Sequence, residues 1–268
     1  MNGDALNVVV CVKQVVDTEA EKKLDPTSFR LDRVSVENIL NPYDEYAVEA
    51  AIQLKEEHDC NVTILCMGPE AAQEAVRKAL AMGADEAVMI TDDALAGSDA
   101  QGTAYALAEA LKTLTDCNLI IFGAMSTDAQ TGLVPAAVGD QLGLPVLTGL
   151  SKLEFVDGSL SVRRQTDDGY VALSCPLPAV VSVAKGINEP RYPSLKGIMG
   201  AKKKPLEEKS AGDLGLSADK IGQDAAWTRV LSTTTPPPRQ SGQRLDDDGS
   251  GQVGADKVIE FLQAQKLI

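Results

Sequence analysis

Four short apolar runs, alternating with stretches of helical spacing, leave this chain few ways to fold. LNVVVCV at 6–12, NVTILC at 61–66, AVMI at 87–90 and LIIF at 119–122 carry apolar side chains at successive positions. Such runs suit strands buried on both faces, as in a parallel sheet. Residues 42–57 place Ala47, Val48, Ala51, Ile52 and Leu54 on one helical face. Residues 70–82 do the same with Ala71, Ala75, Val76, Ala79 and Leu80, and 99–114 form a third amphipathic stretch. Strands and helices alternating at these lengths predict βαβ crossovers. The expected class is α/β: an open, mostly parallel, Rossmann-like sheet with helices on both faces.

Two junctions in this pattern carry chemistry. At Asn41-Pro42 the asparagine is expected to cap a helix, with Pro42 at its first position and Asp44 and Glu45 at the positive end of its dipole. After the fourth run comes a loop of small and hydroxyl-bearing residues: Gly123, Ala124, Met125, Ser126, Thr127, Asp128, Ala129, Gln130, Thr131 and Gly132. A helix over 133–142 follows, with Pro135 in its first turn, where a missing N–H costs nothing. Ser126, Thr127 and Thr131 therefore meet unpaired helix amides at the carboxyl end of a strand, where open α/β sheets hold phosphate-bearing ligands. Ordinary βα loops favour the same residue types for turns and caps. No GxGxxG or GxxxxGK[ST] occurs, so loop composition alone leaves an anion site and a plain connection both open.

From Val146 the period changes from 3.6 to 2. Asp157-Gly158 and Asp168-Gly169 are hairpin signals between alternating segments, predicting an antiparallel meander that extends the sheet. AVVSVA at 179–184 returns as an apolar strand. Residues 19–40, of mixed charge and weak alternation, read as a small excursion or hairpin. Beyond Gly186 the chain turns Pro- and Lys-rich, and Pro236-Pro237-Pro238 with 242–254 reads as an extended linker. A final helix over 254–267, striped by Val258, Ile259, Leu262 and Leu267, is too short to persist unpacked, so it must dock on something. These shifts give three expected regions: 1–186 as α/β domain with the meander, 187–235 as loop and linker, 236–268 as arm. Arg163 and Arg164 read as solvent-facing, and Trp227 as packing a linker against the body.

Composition narrows the function classes. A formal net charge of −14 argues against a nucleic-acid scaffold or an anionic membrane surface. The first ten residues lack the pattern of a signal peptide, and no apolar run reaches the ~18–20 residues a membrane span needs. Cys11, Cys60, Cys66, Cys117 and Cys175 are scattered and form no CxxC, as expected of reduced core cysteines in a cytoplasmic protein. His58 is the single histidine, which argues against a Ser-His-Asp triad and a His-based metal site. The balance favours a binding protein over a hydrolase.

Several segments, in order, resemble the β subunit of electron transfer flavoproteins, the FixA-like family. They are VKQVVDT at 12–18, NPYDEYAVEAA at 41–51, KALAMGAD at 78–85 and NEPRY at 188–192. Ile198-Met199, Ala201-Lys202-Lys203-Lys204, and Pro237-Pro238-Arg239 with Gly242 complete the series. Any one piece is weak; the ordered series, covering nearly the whole chain, is specific. The fold it implies is adenine-nucleotide-hydrolase-like, in agreement with the pattern above.

The resemblance implies a heterodimer in which an α subunit holds most of a redox FAD and this subunit buries AMP as a structural ligand. By motif position the AMP would meet Cys11, Asn41, Pro42, Tyr43, Asp44 and Met67, together with the loop Gly123 to Gly132 and Leu133 and Val134. Partner docking would fall on Tyr192, Leu195, Ile198, Met199, Lys202, Lys203 and Lys204, with Leu195 an exposed anchor in irregular chain. The implied role is an electron carrier, not a catalyst on its own, taking electrons from acyl-CoA-type dehydrogenases to a membrane quinone reductase. Bifurcating members, which place a second FAD in the AMP pocket and oxidise NADH, form one alternative; a nucleotide-binding regulator forms another. The chain departs from mitochondrial members at Ala129-Gln130, where they carry acidic residues, and at Thr18, where they place a flavin-contacting tyrosine.

Overall fold

A computed structural model describes residues 6–114, 116–234, 237–238, 242, 244 and 246–268. The chain divides into two compact units, Met1–Val230 and Leu231–Ile268. Pro236 and Arg239, which enter the linker and motif readings above, lie outside the described residues.

The first unit opens with β1 (Asn7–Val12), a short antiparallel pair β2 (Gln14–Val16) and β3 (Asn38–Leu40), and helix α1 (Pro42–His58). Next come β4 (Asn61–Met67), α2 (Gln73–Met82), β5 (Glu86–Ile90), α3 (Ala100–Thr113), β6 (Leu119–Gly123) and α4 (Val134–Leu142). The meander β7 (Val146–Val156), β8 (Ser159–Thr166) and β9 (Gly169–Pro176) leads into β10 (Ala179–Val183), then α5 (Leu195–Ala201) and β11 (Leu206–Lys209). Among the described residues these build a sheet in the order β11-β5-β4-β1-β6-β10-β7-β8-β9. The pairs from β11 through β7 are parallel; β8 and β9 are antiparallel additions. This is the α/β class the alternating runs predict. No described helix is long and apolar enough to cross a membrane.

The consecutive apolar runs explain the layering. Successive strand side chains face opposite ways, so Val8, Val10 and Val12 join the core with α1 and α2, while Val9 and Cys11 join the core with α3 and α4. Strand β1 is central and every residue after Asn7 in it is buried. The chain runs outward from β1 to β4 and β5, then crosses back to β6 on the other side of β1. The loops leaving β1 and β6 thus diverge and open a crevice at their carboxyl ends, the topological switch point where open α/β sheets bind ligands.

Several local expectations change. Residues 191–197 are not irregular throughout: Ser194 accepts a hydrogen bond from Gly197 N at 3.0 Å and starts α5 at Leu195. Tertiary contact supplies what the Pro- and Gly-rich sequence lacks. Trp227 is 83% exposed, so it does not pack a linker against the body. Arg164 is half-buried and its Nε donates to Thr148 O at 2.7 Å, whereas Arg163 is exposed as expected, lying 4.5 Å over the Tyr170 ring. The strand β11 (LEEK) carries no apolar signal; it forms as a parallel edge beside β5. In the second unit the last helix, α6, spans Gln252–Ala264, with Val258, Ile259 and Phe261 exposed.

Candidate functional site

At the switch point three backbone segments meet on one carboxyl group. Asp44, in the first turn of α1, is buried and accepts from the amide of Lys13, just past β1, at 2.8 Å. Gly123 closes β6 directly against it: a Cβ there would lie 2.5 Å from Asp44 Oδ1 and 2.7 Å from the Tyr43 carbonyl carbon. Only glycine permits this approach of β6 to the start of α1. Burial pushes the Asp44 carboxyl up to about 7, against the amide of Lys13, the Asn41 side chain and the amide of Gly123, all of which favour its charged form.

Asn41 does not cap its own helix with its side chain. Its Nδ2 instead donates to Met125 O at 2.9 Å and its Oδ1 accepts from Thr127 N at 3.2 Å. The asparagine thereby pins the loop after β6 to α1. Farther along, Gln130 and Gly132 are left-handed, with φ of 53° and 61°, and Gln130 N donates to Ser126 O at 2.9 Å. The loop coils once and delivers the chain to α4, whose N-terminus receives no side-chain cap. Pro135 sits in the first turn as expected, leaving amides there without intrahelical partners. Thr127 Oγ1 is buried with no hydrogen-bond partner among the described residues. A buried orphan hydroxyl in the loop that leads to an uncapped helix start leaves polar groups that a ligand would complete.

The loop's carboxylate is held by two cations. Asp128, its side chain 1% exposed, receives Lys13 Nζ at 2.9 Å and also pairs with Arg33. Burial pushes Asp128 up, but the Lys13 ammonium, with the Lys13, Arg33 and Ser126 hydrogen bonds, outweighs it and holds the group at about 2. Neither Lys13 nor Arg33 is among the residues expected from sequence. Lys13 follows β1 directly, a position that could have flagged it. Arg33 comes from the irregular excursion, 95 residues from its partner, and nothing local points to it.

The structure gathers Asn41, Tyr43, Asp44 and 123–128 into this crevice and places Cys11 at the buried end of β1. Burial raises the Cys11 thiol well above its ordinary value, so it offers surface and not nucleophilic chemistry. Met67 and Ala129 border an adjoining cleft of about 1190 Å³ that runs past Gly68 and Thr91 to Asp99, walled by Arg30, Arg33 and Gln223. Arg30 ties the excursion to the segment beyond β11, donating to Gln223 Oε1 at 2.6 Å. Thr131, Gly132 and Leu133 are exposed at the mouth of the loop.

A second surface lies at α5. Tyr192, Leu195 and Met199 are 95%, 82% and 73% exposed, and Ile198 is exposed beside them. Lys202 and Lys203 are exposed too. Lys204 turns inward, its Nζ donating to the carbonyls of Leu80 and Ala84 at the end of α2. The three lysines therefore divide between a charged rim and an anchor.

Comparison with known proteins points in one direction. Residues 28–214 match the family model described as the electron transfer flavoprotein domain. An electron transfer flavoprotein subunit beta of Mycobacterium tuberculosis is 43% identical over 267 residues, 98% of this chain and 99% of the relative. That of Megasphaera elsdenii is 36% identical over 271 residues, 98% of this chain and all of the relative. The caffeyl-CoA reductase-Etf complex subunit CarD of Acetobacterium woodii is 35% identical over 264 residues, with the same coverage.

Proposed function

Because the chain belongs to the electron transfer flavoprotein family, as a member of its β-subunit branch, we propose that it is half of a heterodimeric electron carrier with AMP in its crevice. Its partner is an α subunit that holds most of one FAD per heterodimer. The carrier takes electrons from acyl-CoA-type dehydrogenases to a membrane quinone reductase. Family membership also sets aside a nucleotide regulator without a redox role.

One observation carries the nucleotide assignment: the buried, unpartnered Thr127 hydroxyl in the switch-point loop that runs into the uncapped start of α4. An adenylate fits this donor set. Thr131 and the amides of 132–134 would receive its phosphate, and Cys11, Asn41, Asp44 and Met67 would border the base and sugar. In this role the nucleotide is structural, joining β1, α1 and the loop after β6. When bound, FAD supplies the redox chemistry of the carrier; this chain binds, orients and docks. The docking residues would be Tyr192, Leu195, Ile198, Met199, Lys202 and Lys203. An apolar anchor with cations around it suits a transient interface, a small hot spot with charge steering. Residues 236–268 act as an arm on the α subunit, which the exposed Val258, Ile259 and Phe261 of α6 support. The five free cysteines suit the cytoplasm.

A second reading has its own support. The CarD relative belongs to a reductase-Etf complex, and the cleft beyond Met67 and Ala129 is roomier than an adenylate needs. A second FAD would use that room in a bifurcating, NADH-oxidising complex. Co-expression with the α subunit and a flavin count tests both: one FAD per heterodimer, reducible by an acyl-CoA dehydrogenase, supports the carrier. Two FAD reducible by NADH would favour bifurcation, and failure to form a heterodimer would refute both.

A further inference from the structure

A seven-residue helix does not persist on its own, and one with Leu195 and Met199 in water has every reason to collapse onto the body. Yet α5 stands with those side chains outward. Charged groups hold it at both ends. Upstream, the Arg191 guanidinium forks onto two carboxylates of α1. It reaches Glu49 at 2.8 and 2.9 Å and Glu56 at 2.6 and 3.0 Å, while the Arg191 amide adds a bond to Glu49 at 3.1 Å. Glu49 is 3% exposed, so this pair is desolvated on its acidic side. Downstream, Arg77 on α2 donates to the carbonyls of Ala201 at 2.7 Å and Lys204 at 3.1 Å. These lie at and beyond the C-terminus of α5, where carbonyls lack helical partners and a cation opposes the negative dipole end. Between the clamps, Gly197 lets α5 lie against α2: a Cβ there would sit 2.4 Å from Ala81 O.

We propose that Arg191 and Arg77 are positioning residues for donor docking, holding α5 in its docking pose before the dehydrogenase arrives. The inference rests on the docking role proposed above for α5. Neither arginine touches the donor or the flavin; each acts by removing the ordering cost from the encounter. Without a clamp, α5 samples poses in which Leu195 and Met199 are not presented together. The apparent affinity then falls by the fraction that remains competent. Lysine cannot replace Arg191, because a point charge does not fork onto two carboxylates.

The test uses the FAD-loaded heterodimer carrying Arg77→Met, Arg191→Met, Arg191→Lys or Leu195→Ala. Amide hydrogen exchange is followed over 192–203, and steady-state transfer is measured with an acyl-CoA dehydrogenase as the varied donor. If a clamp variant leaves about a tenth of the molecules competent, the donor KM rises about tenfold. At the same time kcat, FAD content and direct reduction by dithionite stay as in the parent. Exchange over 192–203 should quicken, and Arg191→Lys should recover only part of the loss. Arg191→Met also leaves Glu49 buried without its counter-charge; if it fails to assemble, Arg77→Met decides the matter alone. Unchanged exchange, or faster exchange with an unchanged KM while Leu195→Ala raises it, overturns the positioning role. An unchanged KM in Leu195→Ala refutes the docking reading itself, and the positioning inference falls with it.

Discussion

Gly123→Ala probes the joint on which the nucleotide crevice depends. The added Cβ would sit 2.5 Å from Asp44 Oδ1 and 2.7 and 2.8 Å from the Tyr43 carbonyl carbon and oxygen. Unstrained carbon contacts lie at about 3.5–4.0 Å, so about 1 Å must be found, against backbone that cannot rotate away. Overpacking of this kind costs about 1–3 kcal/mol. Moving the start of α1 also breaks the 2.8 Å bond from the Lys13 amide to Asp44, worth about another 1 kcal/mol. A total of about 2–4 kcal/mol lowers Tm by about 4–16 °C for a unit of this size. The crevice is disrupted as well, so the purified heterodimer should carry less adenylate. Gly200→Ala, with open space around it and no left-handed φ, is the matched control: it should leave nucleotide content unchanged and Tm no lower than the parent's. Thermal unfolding by circular dichroism and nucleotide analysis after acid release are the assays. A Gly123→Ala protein melting within about 2 °C of the parent, with full nucleotide content, would refute the reasoning.

The other predictions concern the phosphate loop, pH and the arm. Thr131→Val should cost about 1.5–3 kcal/mol of nucleotide binding, and unchanged nucleotide content would place the phosphate elsewhere. Asp44 rises from an ordinary 3.8 to about 7, so its contribution to stability is present below about pH 4 and is lost as pH climbs to about 7. Relative to Asp44→Asn, the parent should weaken by up to about 1.4 kcal/mol per pH unit between about pH 5 and 7 in urea titrations; parallel profiles would contradict this. Asp128, lowered to about 2, runs the opposite way: its contribution is present above about pH 4 and is lost as pH falls towards 2. Truncation at Ser232 should weaken heterodimer formation while Met1–Val230 stays folded; unfolding of the truncated chain would show that the arm serves its own body.

What sequence makes legible follows from where each signal resides. β1, β4, β5 and β6 announce themselves because burial on both faces demands consecutive apolar residues. α5 does not, since Pro193, Gly197 and Gly200 lower its propensity and its order comes from Arg191 and Arg77 across more than a hundred residues. β11 is a charged edge beside β5, invisible to any apolar count. At the crevice, residue types at a strand end point to 123–134, while Asn41 and Asp44 come in through the family resemblance. The partners that set their electrostatics, Lys13 and Arg33, meet Asp128 only in the folded chain. Asn41 shows the same limit: its type predicts a cap, and the fold uses it as a bridge to Met125 and Thr127.

The most direct measurement is the identity and amount of nucleotide released when the purified heterodimer is denatured. The crevice described here predicts one AMP and one FAD per heterodimer, with the AMP lost selectively in Gly123→Ala and Thr131→Val. FAD alone, at one per heterodimer and with no second adenine nucleotide, would contradict a nucleotide site at the switch point of this sheet.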